Sequence, residues 1–430
     1  MKVLVAAASL TLLTATTGLA RPALPISDDT YARVCLALEQ SAERLLNACQ
    51  IALEQPGITD VLRYDLQLSL GAIHQWNSDY QASIDAYEQA LQIKPLSTEA
   101  LSGIGWALRD LGQPDEAYAK FTQALAVDVT ASALMGQAAV GREIGEINND
   151  AARDMLSAAL AIEPHSGFAQ REIAWSYFED GAVDLAIAAF EKRLNEDPDD
   201  VNARFGLGRA ALRSEEPAWA LTQFNRVLEL DPNHTGGRSE RLQALRQLDR
   251  NAQALSESDL FIEDHPDLTD GYIQRALALS GLERRAEALN TFEQAEAKLG
   301  PSNVLLYWYA DTLAYDGRFT DALNTIDRAL DLEGADASDH MLKSWIALEL
   351  ELYREARDSA EAALELGGED PWAHFYAAVA LVHTESTDEA VTRFQTAMAT
   401  GLPEDIVGFF AEELVRAGDF VGAAQLRLKY

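Results

Sequence analysis

Small and large apolar residues recur along this chain at a fixed interval. Ala117, Ala152, Ala186, Ala220, Ala254, Ala288, Ala322, Ala356, Ala390 and Ala423 form a column in which every step from Ala152 to Ala390 is 34 residues, the first 35 and the last 33. Chance alanine content does not hold such a register. A second column follows four residues on: Phe121, Leu156, Phe190, Phe224, Phe292, Ile326 and Phe394, with Tyr87 upstream. A third follows seven on: Ala124, Ala159, Ala295, Ala329, Ala363 and Ala397, with Ala90 upstream. Offsets of four and seven share one helix face, so each column set predicts a helix with a small–large–small stripe.

A matching stripe lies one helix earlier in each unit, as in Leu70-Gly71-His74, Ile104-Gly105-Leu108, Ile173-Ala174-Tyr177, Leu207-Gly208-Ala211 and Tyr309-Ala310-Leu313. The small middle residue marks where the partner helix comes close. Pro95, Pro164, Pro198, Pro232 and Pro266 close the second helix, because proline lacks an N–H and clashes with the preceding turn. Pro114 and Pro217 fall instead at a favoured first helical position. The chain thus reads as a series of helix hairpins with polar or Gly-bearing inner turns.

These residues resemble the tetratricopeptide-repeat (TPR) family, whose repeats place small and large apolar residues at set points and close on proline. The resemblance runs from about Tyr64 to the C-terminus. It departs where Arg193 and Val227 replace the third-column alanine, where Ser258 and Ala360 replace the ring, and near Ile147-Asn148-Asn149, where the third repeat is longer. It implies an all-α fold, a right-handed superhelical solenoid of stacked antiparallel helix hairpins. Residues 64–430 would hold about ten to eleven repeats. Residues 21–63 read as a linker and a degenerate capping hairpin.

The family resemblance further implies a concave groove, lined by the first helix of each repeat, that holds a peptide or protein. In the N-terminal half those positions carry Trp106, Arg109, Arg142, Phe168, Arg171, Trp175, Phe178, Phe205, Arg209 and Arg246, with Trp76 and Arg213 beside them. Farther on they carry Tyr307, Asp311, Trp345, Trp372, Phe375 and several aliphatic residues. The expectation is a two-part track, positive and aromatic first, then apolar. Arginine matches carboxylates and stacks on rings, and Trp and Arg dominate interface energetics. The competing reading is that the rings pack against neighbouring helices and the arginines pair with local acids such as Asp110, Glu143 and Glu179.

The formal net charge of −35 changes the partner list. Such a chain repels phosphate backbones, so no nucleic-acid partner is expected. Met1–Ala20 carries Lys2, an apolar run and small residues at Gly18 and Ala20, the pattern of an export signal cleaved after Ala20. A frayed or buried helix is the other reading of that segment. The expected location is outside the cytoplasm, the periplasm in a bacterium, with no membrane insertion. Two cysteines, Cys35 and Cys49, suggest a disulfide in an exported chain, although two small core residues that never pair remain the alternative. A bridge closing a loop of this length is worth about 3 kcal/mol.

No phosphate loop, nucleophile elbow or zinc motif stands out, and the seven histidines are scattered. The sequence therefore reads as a non-enzyme without cofactor or metal: an exported scaffold or adaptor for a protein or peptide. A glycan or cell-wall fragment, stacked on the Trp and Tyr rings, is the second expectation.

Overall fold

The columns fold as helices. A computed structural model describes Cys35, residues 42–384 and residues 387–429. The expected export signal and most of the expected first capping helix lie outside these residues. Among the described residues there are 23 helices and no strand.

The chain divides into two compact units, one up to Gly237 and one from Arg238. In the first, α1 (Ala42–Leu53) precedes five hairpins: α2 (Asp60–Trp76) with α3 (Tyr80–Ile93), α4 (Thr98–Asp110) with α5 (Pro114–Val127), α6 (Ala131–Glu143) with α7 (Asn149–Ile162), α8 (Gly167–Glu179) with α9 (Val183–Glu196), and α10 (Val201–Arg213) with α11 (Pro217–Leu230). Helix α12 (Thr235–Gln247) begins at the boundary, and its body belongs to the second unit with α13 (Asn251–Asp264). Then come α14 (Thr269–Gly281) with α15 (Arg285–Leu299), α16 (Asn303–Tyr315) with α17 (Phe319–Leu330), and α18 (Ala337–Glu349) with α19 (Tyr353–Gly367). The last are α20 (Pro371–Thr384) with α21 (Thr387–Ala399), and α22 (Ile406–Arg416) with α23 (Phe420–Lys429).

Each hairpin is bounded by recurring chemistry. Thr59, Ser97, Thr130, Ser166, Asp200, Ser302 and Asp336 accept a backbone N–H as N-caps of first helices. The inner turn repeats one left-handed residue: Gly112, Gly145, Gly181, Gly317 and Gly418, but Ser78, Glu215, Asp249, Glu283 and Glu351 in other repeats. The N–H one or two residues on then bonds back across the helix end, as from Gln113 to Leu108 at 3.0 Å and Glu216 to Ala211 at 2.9 Å. A side chain there costs about 1 kcal/mol relative to glycine. Pro114 and Pro217 stand at helix starts.

The column residues form the core. Phe121, Phe190, Phe224, Phe292 and Phe394 are fully buried, as are the alanines three and four residues either side of most of them. Each ring is clamped between two hairpins. Tyr87 lies against Gly71 of its own repeat and Gly103 of the next, and Phe121 lies against Gly105 and Gly136. A Cβ at any of these glycines would collide with the ring, so close helix approach depends on them.

The departures from the repeat pattern are absorbed by exchange of size. Where Ser258 replaces the ring, Phe261 is buried one helical turn later. After Ala360, the place that Gly206 holds in the fifth hairpin is taken by Tyr376. Val227 is buried with Gly237 close against it, and Arg193 lies over Gly167. The longer third repeat keeps its extra residues in the inner turn, where Ile147 packs onto the core beside Gly141 and Asn148 caps α7.

Cys35 and Cys49 are bonded to each other and fully buried, with Cα atoms 4.9 Å apart. The bridge ties Cys35 to α1 within the core that also holds Leu45, Leu66 and Ile73. No described helix is long and apolar enough to cross a membrane.

Candidate protein-binding face

In the N-terminal unit, the first helices α4, α6, α8 and α10 bring the expected arginines and rings onto neighbouring turns. Trp76 is half-buried against the core around the disulfide. Trp106 meets Phe121 and Phe168 edge-on, each at 5.2 Å between centroids, and donates its indole N–H to Ser132 at 3.0 Å. Trp175 does the same with Phe190 at 5.2 Å and Phe178 at 5.5 Å, and reaches Phe205 at 6.4 Å. Phe205 continues the row to Phe224 at 5.9 Å and His234 at 5.0 Å. Edge-on pairs of this kind add about 0.5–1.5 kcal/mol each beyond buried area. These rings join the first helices to the core rings.

The arginines are engaged as well. Arg109 lies 4.8 Å over Trp106 and bonds Asp110 at 3.0 Å. Arg142 reaches Glu172 at 3.1 Å and Glu179 at 3.7 Å, and burial raises the Glu172 carboxyl despite Arg142, Arg109 and Arg171. Arg171 bonds Asp200 at 2.8 Å, and Arg193 bonds the same carboxylate at 2.7 Å. Asp200 is buried and also caps α10. Burial pushes its carboxyl up, but Arg171, the Ala203 N–H and Arg193 outweigh that and hold it below the usual range. Arg209 lies 5.6 Å over Trp175 and 5.1 Å over Phe178. Arg213 lies 5.2 Å over Phe178 and donates to its carbonyl at 2.9 Å. Of the three local acids weighed from sequence, Asp110 and Glu179 pair with these arginines. Glu172 and Asp200, about one repeat downstream, were not visible as partners, because only stacking brings them near.

The C-terminal unit treats the equivalent positions differently. Arg246 is half-buried, accepted only by Gln274 at 3.3 Å, and has no acidic partner among the described residues. Burial pushes its guanidinium down to about 10. Tyr307 is half-buried and meets Trp308 at 5.3 Å. Trp345 packs 5.3 Å from Tyr315 and 6.3 Å from Phe319. Trp372 is exposed at 37% and lies 5.8 Å from Phe375 and 6.1 Å from Tyr376. Phe375 itself is only 6% exposed and belongs to the core, near Phe394 and Phe409. The sequence reading omitted Tyr315, which is 70% exposed, and Tyr376. Both sit one place beside the inward positions, and helical spacing alone could have flagged them.

Asp311 lies between Tyr307 and Tyr315 on α16 and has no hydrogen bond or ion pair among the described residues. Burial alone pushes its carboxyl up to about 6. No group of three or more His, Cys, Asp or Glu side chains among the described residues is placed to hold a metal. Two histidines of this unit are tied to glutamates: His374 to Glu369 at 2.6 Å and His383 to Glu413 at 2.9 Å.

Comparison with known proteins agrees with the repeat register. Models described as tetratricopeptide repeat match residues 68–133, 177–248 and 341–405. No curated protein matches the sequence. Among solved structures, yeast Tom70 is similar over 94% of this chain and 97% of its own, with 17% identity and a TM-score of 0.51. A tetratricopeptide repeat protein from Parabacteroides merdae is similar over 62% of this chain and 98% of its own, with 15% identity and a TM-score of 0.47. Likeness at such identity concerns the fold alone. With repeat models matching in both units and the column residues clamped as the repeat requires, the chain carries tetratricopeptide repeats.

Proposed function

We propose that this protein is a scaffold or adaptor that works outside the cytoplasm and binds a protein or peptide partner on the first-helix face of its C-terminal unit. Tetratricopeptide-repeat proteins generally mediate protein–protein interaction and are typically not enzymes. The observation that carries the placement is the exposure of Tyr315 and Trp372 on α16 and α20, against the internally engaged rings of the N-terminal unit. Exposed aromatic anchors supply binding energy when a partner covers them. The export-signal pattern at Met1–Ala20 and the Cys35–Cys49 bridge support an oxidising compartment, the periplasm in a bacterium.

The test is capture from an envelope extract with the native chain and with a Tyr315→Ala, Trp372→Ala variant. A protein held by the native chain and lost with the variant is the expected result. Equal capture by both removes this face from the reading. The same exposed rings favour a second reading, stacking on a sugar face. If no protein is captured and a soluble polysaccharide quenches tryptophan fluorescence in the native chain only, the glycan reading takes precedence.

A further inference from the structure

On α16, Tyr307, Asp311 and Tyr315 stand four residues apart, so they form one stripe on the helix. Tyr315 meets Trp345 of α18 at 5.3 Å. Tyr376 of α20 is within electrostatic reach of both Tyr307 and Tyr315. A half-buried carboxylate thus lies on a stripe between two tyrosines, one of which meets a ring of the next hairpin.

Four acids act on these rings: Asp311, Asp336 and Asp339 on Tyr307, and Asp370 on Tyr376. Three of these serve the fold. Asp336 and Asp339 form the capping box of α18, and Asp339 also accepts from Asn303 at 3.0 Å. Asp370 accepts from the first N–H groups of α20 at 2.8 and 3.0 Å. Asp311 serves no such purpose. Among the described residues it caps nothing and pairs with nothing, and its burial opposes its charge. The lysine of the neighbouring helix, Lys343, is held elsewhere by Asp327 at 2.7 Å and Glu355 at 3.0 Å. A charge that weakens the fold without a partner in it marks a place where a ligand supplies the partner.

The chemistry selects the ligand. An anion is repelled. A neutral group leaves a desolvated carboxylate uncompensated. An ammonium or guanidinium satisfies the carboxylate and is attracted by the faces of the rings around it. We propose that Asp311, set between Tyr307 and Tyr315 on α16, anchors a lysine or arginine side chain of the protein partner. This rests on the protein-binding reading above and specifies which part of the partner enters first.

The test uses the full chain and an eight-residue peptide of alternating glycine and lysine, with a second peptide carrying norleucine in place of lysine. Binding is followed by calorimetry and by tryptophan fluorescence. The expected result is that the lysine peptide binds at least tenfold more tightly than the norleucine peptide, and that Asp311→Asn removes that difference. Asp358→Asn, at an exposed acid on α19 already paired with Arg357, is expected to change nothing. Circular dichroism checks that both variants fold. Equal binding of the lysine peptide by native chain and Asp311→Asn overturns the proposal. So does an equal loss with Asp358→Asn, which would mean general attraction by an acidic chain. If the captured partner is lost with Tyr315→Ala, Trp372→Ala but kept with Asp311→Asn, the anchor fails while the protein-binding reading stands.

Discussion

The two units place different side chains at equivalent repeat positions and put them to opposite use. In the N-terminal unit, Arg142 and Arg171 reach forward to Glu172 and Asp200 of the next hairpin, and Trp106 and Trp175 reach back into the core rings. These side chains bind repeat to repeat. In the C-terminal unit, Asp311 has no partner among the described residues, Arg246 has only a glutamine, and Tyr315 and Trp372 face solvent. The difference teaches that position in the repeat alone does not tell whether an arginine or tryptophan is engaged by its neighbours. What decides is whether the next repeat offers a carboxylate or a ring that consumes it.

The largest test of this contrast is Asp200→Ala. It leaves Arg171 and Arg193 without their shared carboxylate and removes the cap of α10. Losing one partner of a buried pair costs about 3–5 kcal/mol. Urea unfolding followed by tryptophan fluorescence is expected to show early loss of the N-terminal unit. An unchanged midpoint would mean that the arginines are not consumed by the fold, and the contrast between the units would collapse.

A smaller effect is expected in the ring clamp. Gly136→Val puts a Cβ onto the Phe121 ring, and overpacking of this kind costs about 2 kcal/mol. Hydrogen exchange is expected to quicken in α5 and α6 and to stay unchanged in the C-terminal unit. Exchange quickening equally in α20 would show that the two units do not unfold separately.

The smallest expected effect has the opposite sign. The folded Asp311 carboxyl sits at about 6, above its ordinary 3.8. A raised folded value favours the protonated form, so the contribution to stability is present below about pH 4 and is lost as pH rises through 6. Asp311→Asn, which carries no charge, is therefore expected to stabilise the C-terminal unit by about 1 kcal/mol at pH 7.5, the full shift being discounted for partial solvent exposure. The gain is expected to vanish at pH 4. Thermal unfolding at the two pH values checks it, and a destabilised variant at pH 7.5 would mean that the carboxylate has an employment in the fold.

Much of the fold was legible because helical repeats are local. A ring four residues after an alanine, and an alanine three after the ring, share a face in any helix, and the period of 34 then sets the hairpin. The departures were legible only as gaps. That Phe261 fills the place left by Ser258 needed the packed structure, because either residue satisfies the helix pattern by itself. The face was half legible. Trp372 is exposed, but Phe375, three residues on, is core.

The sequence by itself determined the helices, their turns and their pairing, since these follow from spacing within one repeat and from residues such as Gly71 and Gly105 that permit close approach. It determined the presence of Arg171 and Asp311 but not their roles. Those depend on neighbours about one repeat away along the chain, which stacking alone brings to within 3 Å of Arg171 and withholds from Asp311. Burial and pairing are properties of the assembled unit, so the tertiary structure decided which of these charges is paired within the fold and which, among the described residues, is not.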